Sequence, residues 1–193
     1  PPPPAPGIFA SRADLKAALD DWKRFSTATP GSGRHGHPSG WDVSRVDDMS
    51  KLFDGANFNE PIGSWDTSKV TTMDSTFRYA EAFNHPLAWD TSKVTDMDWT
   101  FNNAKAFNAP LTWDTSKVTT MGSAFTVAKA FNQPLVWDTS AVTNIAHTFQ
   151  EASIFDQALV WDTSKVWSLS FTINAARAFK QPLTWDTSKV TDM

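Results

Sequence analysis

A Trp-Asp pair recurs every 24 residues of this chain from position 41 onward. If the repeats stack, successive carboxylates lie about 5 Å apart and repel one another by roughly 1–3 kcal/mol per neighbour. A ladder of calcium ions would offset this repulsion, but the loops lack the glycine-rich nonapeptide of known calcium-binding stacks. We therefore expect each Asp to accept hydrogen bonds from turn amides and, in five copies, to face the Lys three residues later. This Asp column consists of Asp42, Asp66, Asp90, Asp114, Asp138, Asp162 and Asp186.

Threonine forms two further columns with the same period. Regular threonine arrays on flat faces order water in some ice-binding proteins, so an ice-binding array is one hypothesis. The two columns are four residues apart across the expected start of a helix, however, and local capping of backbone amides is the simpler interpretation. The first column is Thr67, Thr91, Thr115, Thr139, Thr163 and Thr187, and the second includes Thr71, Thr95, Thr119 and Thr143.

Other residues that could carry chemistry are sparse. His35 and His37 lie two residues apart, but two histidines without a third ligand nearby are weak evidence for a metal site. The chain contains no cysteine, and no nucleophile–base pair, phosphate-binding loop or zinc motif is present. We therefore predict that the protein is not an enzyme and that it uses neither a metal nor a cofactor.

Composition argues against two classes of partner. The formal net charge is −4, acidic and basic residues are interspersed, and the sequence has no basic patch of the kind that binds nucleic acid. No run of about 18 apolar residues occurs, so no membrane span is predicted. Apolar residues make up 40% of the chain, which is enough for a continuous core.

Tryptophan marks the repeat most clearly. It stands at positions 41, 65, 89, 113, 137, 161 and 185, and it opens the same phrase each time. A fixed period of this size is the signature of stacked repeat proteins. We predict that residues 41–193 form a solenoid of six complete repeats and a partial seventh, with the Trp column as the spine of its core.

Within a unit, large apolar residues fall at spacings of three, four and three, as in Val70, Met73, Phe77 and Ala80. This spacing places them on one face of a helix of about three turns. A proline then ends helical hydrogen bonding, and the alternating Leu and Trp that follow it suit a short strand. The sequence therefore predicts an α/β fold, a leucine-rich-repeat-like solenoid of 24-residue helix–strand repeats with an N-terminal helical cap.

Residues 1–40 precede the repeats. A proline-rich N-terminus is followed by a capping-box pattern at residues 11–14 and by apolar residues at helical spacing between positions 15 and 25. We expect this helix to cover the first repeat, because the end of a repeat stack must be shielded from water. Residues 26–40 are rich in Gly and Pro and are predicted to form a loop.

The phrase W-D-T-S-K-V-T-x-M-x-x-x-F-x-x-A-x-x-F-N-x-P-L resembles the BspA-like surface-protein repeats classed as domain of unknown function 285, over residues 41–193. The resemblance implies a leucine-rich-repeat-like solenoid that acts as an interaction scaffold. It also implies a cell-surface or secreted location, with an organellar or membrane-associated assembly as the alternative. It brings no catalytic residues to this chain.

Departures from the repeat indicate candidate binding residues. Ten residues after each Trp, a variable column holds Lys51, Ser75, Trp99, Ser123, His147 and Phe171, and Trp167 replaces the usual Thr four residues before Phe171. Large aromatics at positions that are polar in sibling repeats have no evident role in the core, and exposed aromatics of this kind anchor interfaces. We therefore predict that Trp99, Trp167 and Phe171 bind a partner. Local repacking, above all in the sixth repeat, is the alternative.

The function expected from these features is that of a non-enzymatic protein-interaction or scaffold module, which presents a rigid repeat surface to a protein partner of unknown identity. One alternative is a structural subunit embedded in a larger assembly. The other is a calcium- or ice-binding array that uses the Asp and Thr columns.

Overall fold

The computed structural model describes residues 7–26 and 34–193. One α-helix, α1 (Arg12–Ser26), precedes the repeats as expected, and a 3-10 turn (Pro38–Gly40) leads into the first of them. Of the predicted N-terminal segment, residues 1–6 and 27–33 lie outside the described residues. Within the described ranges, no helix has both the length and the apolar character needed to cross a membrane.

The repeats contain turns and isolated parallel β-bridges in place of helices and strands. The bridges join residues 24 apart, such as Asp48 with Thr72 and Thr72 with Asp96, and they continue as far as Asp192. The prediction of an α/β helix–strand solenoid is therefore wrong: in the part of the chain that the structure describes, α1 is the one α-helix, and it lies outside the repeats. The segments that follow the repeat prolines, predicted as strands, form no bridge there.

Two backbone positions in each complete repeat interrupt any helix. Ser75 and Tyr79 each have a φ of 55°, in the left-handed region, which a right-handed α-helix does not contain. Glycine adopts this conformation freely, whereas other L-residues pay roughly 1–2 kcal/mol each. The two columns are Lys51, Ser75, Trp99, Ser123, His147 and Phe171, and Gly55, Tyr79, Asn103, Val127, Glu151 and Ala175.

Backbone hydrogen bonds explain why the chain accepts these positions. The N–H of Ser75 donates to the carbonyl oxygen of Asp98 in the next repeat at 2.8 Å, and the N–H of Thr76 closes a turn onto the carbonyl of Met73 at 3.1 Å. Successive amides of the turn segment thus donate alternately to a carbonyl of the next repeat and to a carbonyl of their own repeat. Met73, Phe77 and Tyr79 make the same forward bonds as Ser75. Thr, Ser and Asp, which hold five of the six positions 71–76, are weak helix formers and favour such turns.

A second set of amides points the other way. The N–H of Thr71 donates to the carbonyl of Asp47 in the preceding repeat at 2.8 Å, and later repeats copy this bond. Each turn segment is therefore tied to both of its neighbours. We call the outer surface of these segments the ladder face; it carries the columns of Thr71, Thr72, Asp74, Ser75 and Tyr79.

Aromatic columns fill the space behind the ladder face. Successive Trp rings from Trp65 to Trp137, and the pair Trp161 and Trp185, are parallel within 3–8°, with centroids 6.1–6.5 Å apart. Rings of the Phe77 column are 5.0–5.5 Å apart, and both spacings suit offset stacks. The first six Trp residues of the column are buried, which confirms that the column belongs to the core.

Helix α1 packs on the first repeat. Leu15, Leu19 and Trp22 are buried in the common core, and the ring of Trp22 meets that of Phe58 edge-on at 5.9 Å. Arg12 at the start of α1 pairs with Asp48 at 3.2 Å. The helix thus covers apolar surface of the first repeat, which a stack of this kind must hide from water.

Replacing Ala175 with Gly should stabilise the protein. Ala175 is exposed and has a φ of 56°, so its replacement by Gly removes a penalty of roughly 1–2 kcal/mol for the left-handed backbone conformation. Part of this gain is lost because Gly increases the conformational entropy of the unfolded chain. We expect Ala175→Gly to raise the free energy of unfolding by about 0.5–1 kcal/mol, measured by thermal unfolding.

Ala82→Gly is the matched control, because Ala82 is exposed in a turn without a positive φ. It should lower the free energy of unfolding by about 0.5–1 kcal/mol. Equal destabilisation by the two substitutions would contradict the assigned backbone conformation.

Candidate interaction surface

The Asp column stabilises turns. Oδ1 of Asp90 accepts a hydrogen bond from the backbone N–H of Ser92 at 3.0 Å, and the other six members make the equivalent bond. Bonds from these serines hold the pKa of every carboxyl in the column below its ordinary value. Lys93 adds attraction at Asp90. The interpretation of the column as part of the turns is confirmed.

Both threonine columns link repeats to each other. The buried hydroxyl of Thr67 donates to the carbonyl oxygen of Asp90 at 3.0 Å, and that of Thr71 donates to the carbonyl of Asp47 at 3.2 Å. The prediction that these residues cap helices is wrong, because the described repeats contain no helix to cap. Hydroxyls that are already bonded to backbone carbonyls also argue against an ice-ordering role.

An asparagine column, which the sequence analysis missed, performs a similar task. Oδ1 of Asn59 accepts from the N–H of Asn84 at 2.9 Å, and Oδ1 of Asn84 accepts from the N–H of Asn108 at the same distance. Asn132 and Asp156 continue the series. The recurring F-N pair was the available signal, since a short amide side chain can satisfy a neighbouring turn amide.

The two loop histidines have separate partners. Nε2 of His37 lies 3.1 Å from a carboxylate oxygen of Glu60, and the ring of His35 packs edge-on against Phe9 at 5.4 Å. Among the described residues, no group of three or more His, Asp or Glu side chains could hold a metal ion.

All three candidate binding residues lie on the ladder face with their side chains exposed. The exposed fractions are 44% for Trp99, 48% for Trp167 and 56% for Phe171. Trp99 and Phe171 occupy the left-handed column, with φ of 57° and 56°. The ring of Phe171 stacks on the imidazole of His147 in the preceding repeat, with centroids 5.2 Å apart and planes 12° apart.

The structure brings two of the three candidates into one repeat. Trp167 and Phe171 both belong to the sixth repeat, whereas Trp99 belongs to the third, about 14 Å away along the stack if repeats advance by the usual strand spacing. The candidates therefore form two aromatic positions on a shared face.

Comparison of the sequence with known protein families assigns the chain to one of them. The family described as "Mycoplasma protein of unknown function, DUF285" matches residues 13–136 and again residues 111–193. The chain belongs to the DUF285 family. No curated protein and no solved structure shows significant similarity to it.

Three carboxylates of this DUF285 protein are half-buried on the ladder face around Trp99. Oδ1 of Asp98 accepts hydrogen bonds from Oγ1 of Thr120 at 2.5 Å and from the N–H of Gly122 at 2.6 Å. Burial nevertheless raises the pKa of Asp98, and the nearby charges of Asp96 and Asp74 raise it further. Burial also raises the pKa of Asp96, despite a hydrogen bond from the N–H of Asp98.

These pKa shifts predict opposite effects for two matched substitutions. A raised folded-state pKa means that the charge of Asp98 opposes folding near pH 7; this cost shrinks as the pH falls below the folded-state pKa and is gone below the unfolded-state pKa. Asp98→Asn keeps an oxygen for Thr120 and Gly122, so it should raise the melting temperature near pH 7. The difference from wild type should vanish near pH 3, where Asp98 is protonated.

Asp90→Asn removes the same charge from the same repeat at a site with a lowered pKa. Asp90 contributes stability above its unfolded-state pKa, and this contribution is lost as the pH falls through the folded-state value. Asp90→Asn should therefore lower the melting temperature slightly near pH 7. If Asp98→Asn were the more destabilising of the two at that pH, the electrostatic account of the ladder face would be wrong.

Proposed function

We propose that this DUF285 protein is a non-enzymatic protein-interaction module, which binds a partner protein through the exposed aromatics of its ladder face. The observation that carries the proposal is the position of Trp99: its ring is 44% exposed although a repeat lies on each side of it, and its backbone is held in the left-handed region by a hydrogen bond to the carbonyl oxygen of Gly122 at 2.9 Å. Such a ring loses little conformational freedom when a partner covers it. Rigid, exposed aromatics are the side chains that dominate binding energy at protein interfaces.

The backbone of the ladder face supports this role. In the first five repeats, the N–H group at the position equivalent to Phe171 pairs with the next repeat, as from His147 to Ser170 at 2.8 Å. Side chains in this column vary freely from Lys to Ser, Trp, His and Phe, while the backbone stays the same. The fold can therefore present different side chains from one fixed framework.

The resemblance to BspA-like surface-protein repeats adds a location to the proposal. We place the protein at the cell surface or in the secreted fraction, where a repeat surface without an enzymatic site would serve attachment or scaffolding. A structural subunit of a larger assembly is the second candidate, in which the exposed aromatics Trp99 and Trp167 would be covered by a permanent neighbour.

A pull-down from extracts of the producing cells tests the proposal. The full chain, immobilised, should capture at least one protein at a fixed ratio, and Trp167→Ser/Phe171→Ser should reduce the captured amount about tenfold or more, because hot-spot aromatics each contribute about 2 kcal/mol or more.

Val136→Ser/Val160→Ser is the control, since these side chains are 95% and 88% exposed and lie next to the Trp column, away from the ladder face. This variant should capture as much partner as wild type. The proposal fails if wild type captures nothing, or if both variants bind alike.

A further inference from the structure

The chemistry of the partner can be inferred from the surroundings of Trp99. In repeats two to four, the ladder-face columns of Thr71, Thr72, Asp74 and Ser75 hold three carboxylates and no Lys or Arg. In the first repeat, by contrast, Asp48 on this face pairs with Arg12 at 3.2 Å, and Asp54 nearby pairs with Arg78 at 2.7 Å. Trp99 is therefore an exposed aromatic that lies next to carboxylates without an ion-pair partner.

None of the ion pairs found in the described ranges involves Asp74, Asp96 or Asp98, although Asp74 attracts Arg78 without direct contact. The electrostatic neighbours that act on Asp96 and Asp98 are themselves carboxylates. Each additional negative charge in this half-buried region is unfavourable, so the arrival of a cation would relieve the repulsion. Charge complementarity thus selects a positively charged partner for this face.

The side-chain geometry is suited to a guanidinium group. The two hydrogen bonds to Asp98 both end on Oδ1, which fixes the carboxylate and leaves Oδ2 without a partner among the described residues. A half-exposed indole lies at the next position in the chain, and arginine stacks on aromatic faces while donating to carboxylates. Lysine can make only one of these contacts well, because its ammonium group is compact and strongly hydrated.

We propose that the ladder face around Trp99 binds an arginine-bearing segment of the partner protein, with the guanidinium against the indole and the carboxylates of Asp96 and Asp98. This inference rests on the proposed function and specifies the partner's chemistry. A second arginine about four residues further along an extended segment would reach Trp167 in the sixth repeat and Asp192 in the partial seventh, given a rise of about 3.4 Å per residue. Asp192 lies close to Trp167 there, since the backbone N–H of Asp192 donates to the carbonyl oxygen of Trp167 at 3.1 Å.

Peptide binding to the full chain tests the inference. The probe is a fluorescein-labelled peptide with two arginines four residues apart in a Ser- and Ala-rich background, and binding is followed by fluorescence anisotropy. A counterpart with Gln in place of both arginines measures binding that does not depend on charge. We expect saturable binding of the Arg peptide, and binding of the Gln peptide at least about tenfold weaker.

Variants of the chain locate the site. Asp96→Asn/Asp98→Asn and Trp99→Ser should each weaken binding of the Arg peptide about fivefold or more. Asp90→Asn/Asp114→Asn removes the same total charge from the Asp column and should leave binding within about twofold of wild type. The first variant is expected to be at least as stable as wild type, so its loss of binding would not reflect unfolding.

Three results would overturn the inference. These are no saturable binding of the Arg peptide up to about 1 mM, equal binding of the Arg and Gln peptides, and equal weakening by the two double Asp variants. If the Arg and Gln peptides bound equally and Trp99→Ser abolished binding of both, the proposed function would still hold, but the partner would not be recognised by its charge. Absence of both peptide binding and a captured partner would defeat the two proposals together.

Discussion

The hydrogen bond between the backbone of one repeat and the backbone of the next is the interaction on which this structure depends. Ser75 with Asp98 and Thr71 with Asp47 illustrate its two directions. Because these bonds join residues in register, the length of the ladder segment cannot change without unpairing amides. The first repeat shows the constraint: it lacks one residue after Ala56 and gains one before Trp65, and both changes fall outside the ladder. Phe58 still stacks on Phe83 at 6.3 Å.

The same ladder explains how a variable surface can sit on an invariant core. Eleven described residues other than glycine have a positive φ, which costs free energy at each position. The fixed hydrogen bonds to neighbouring repeats, together with stacked Phe and Trp columns, offset that cost. The backbone conformation at positions such as Trp99 and Phe171 therefore does not depend on which side chain is present. The residues of a binding surface can vary there without loss of the fold.

Much of the packing could be predicted from sequence, and much of the backbone could not. The period of 24, helix α1 and the buried positions of Val70, Met73 and Phe77 were all readable. The prediction of a helix in each repeat was wrong because the spacing of apolar residues indicates which side chains face inward. It does not indicate which carbonyl oxygen accepts a hydrogen bond from each backbone amide. The structure buries Ser75, Thr76 and Phe77 in succession, and three consecutive buried positions do not suit an amphipathic helix. The exposure of the site aromatics was predictable, but the stacking of Phe171 on His147 and the unpaired carboxylates needed the three-dimensional arrangement.

Scalar couplings across hydrogen bonds, measured by NMR on isotope-labelled protein, test the central claim most directly. The account predicts a coupling between the amide nitrogen of Trp99 and the carbonyl carbon of Gly122, whose oxygen lies 2.9 Å from that nitrogen. Equivalent couplings should link Ser75 to Asp98 and Ser123 to Ala146. A coupling from Trp99 to the carbonyl of Thr95, four residues earlier as in an α-helix, would contradict it.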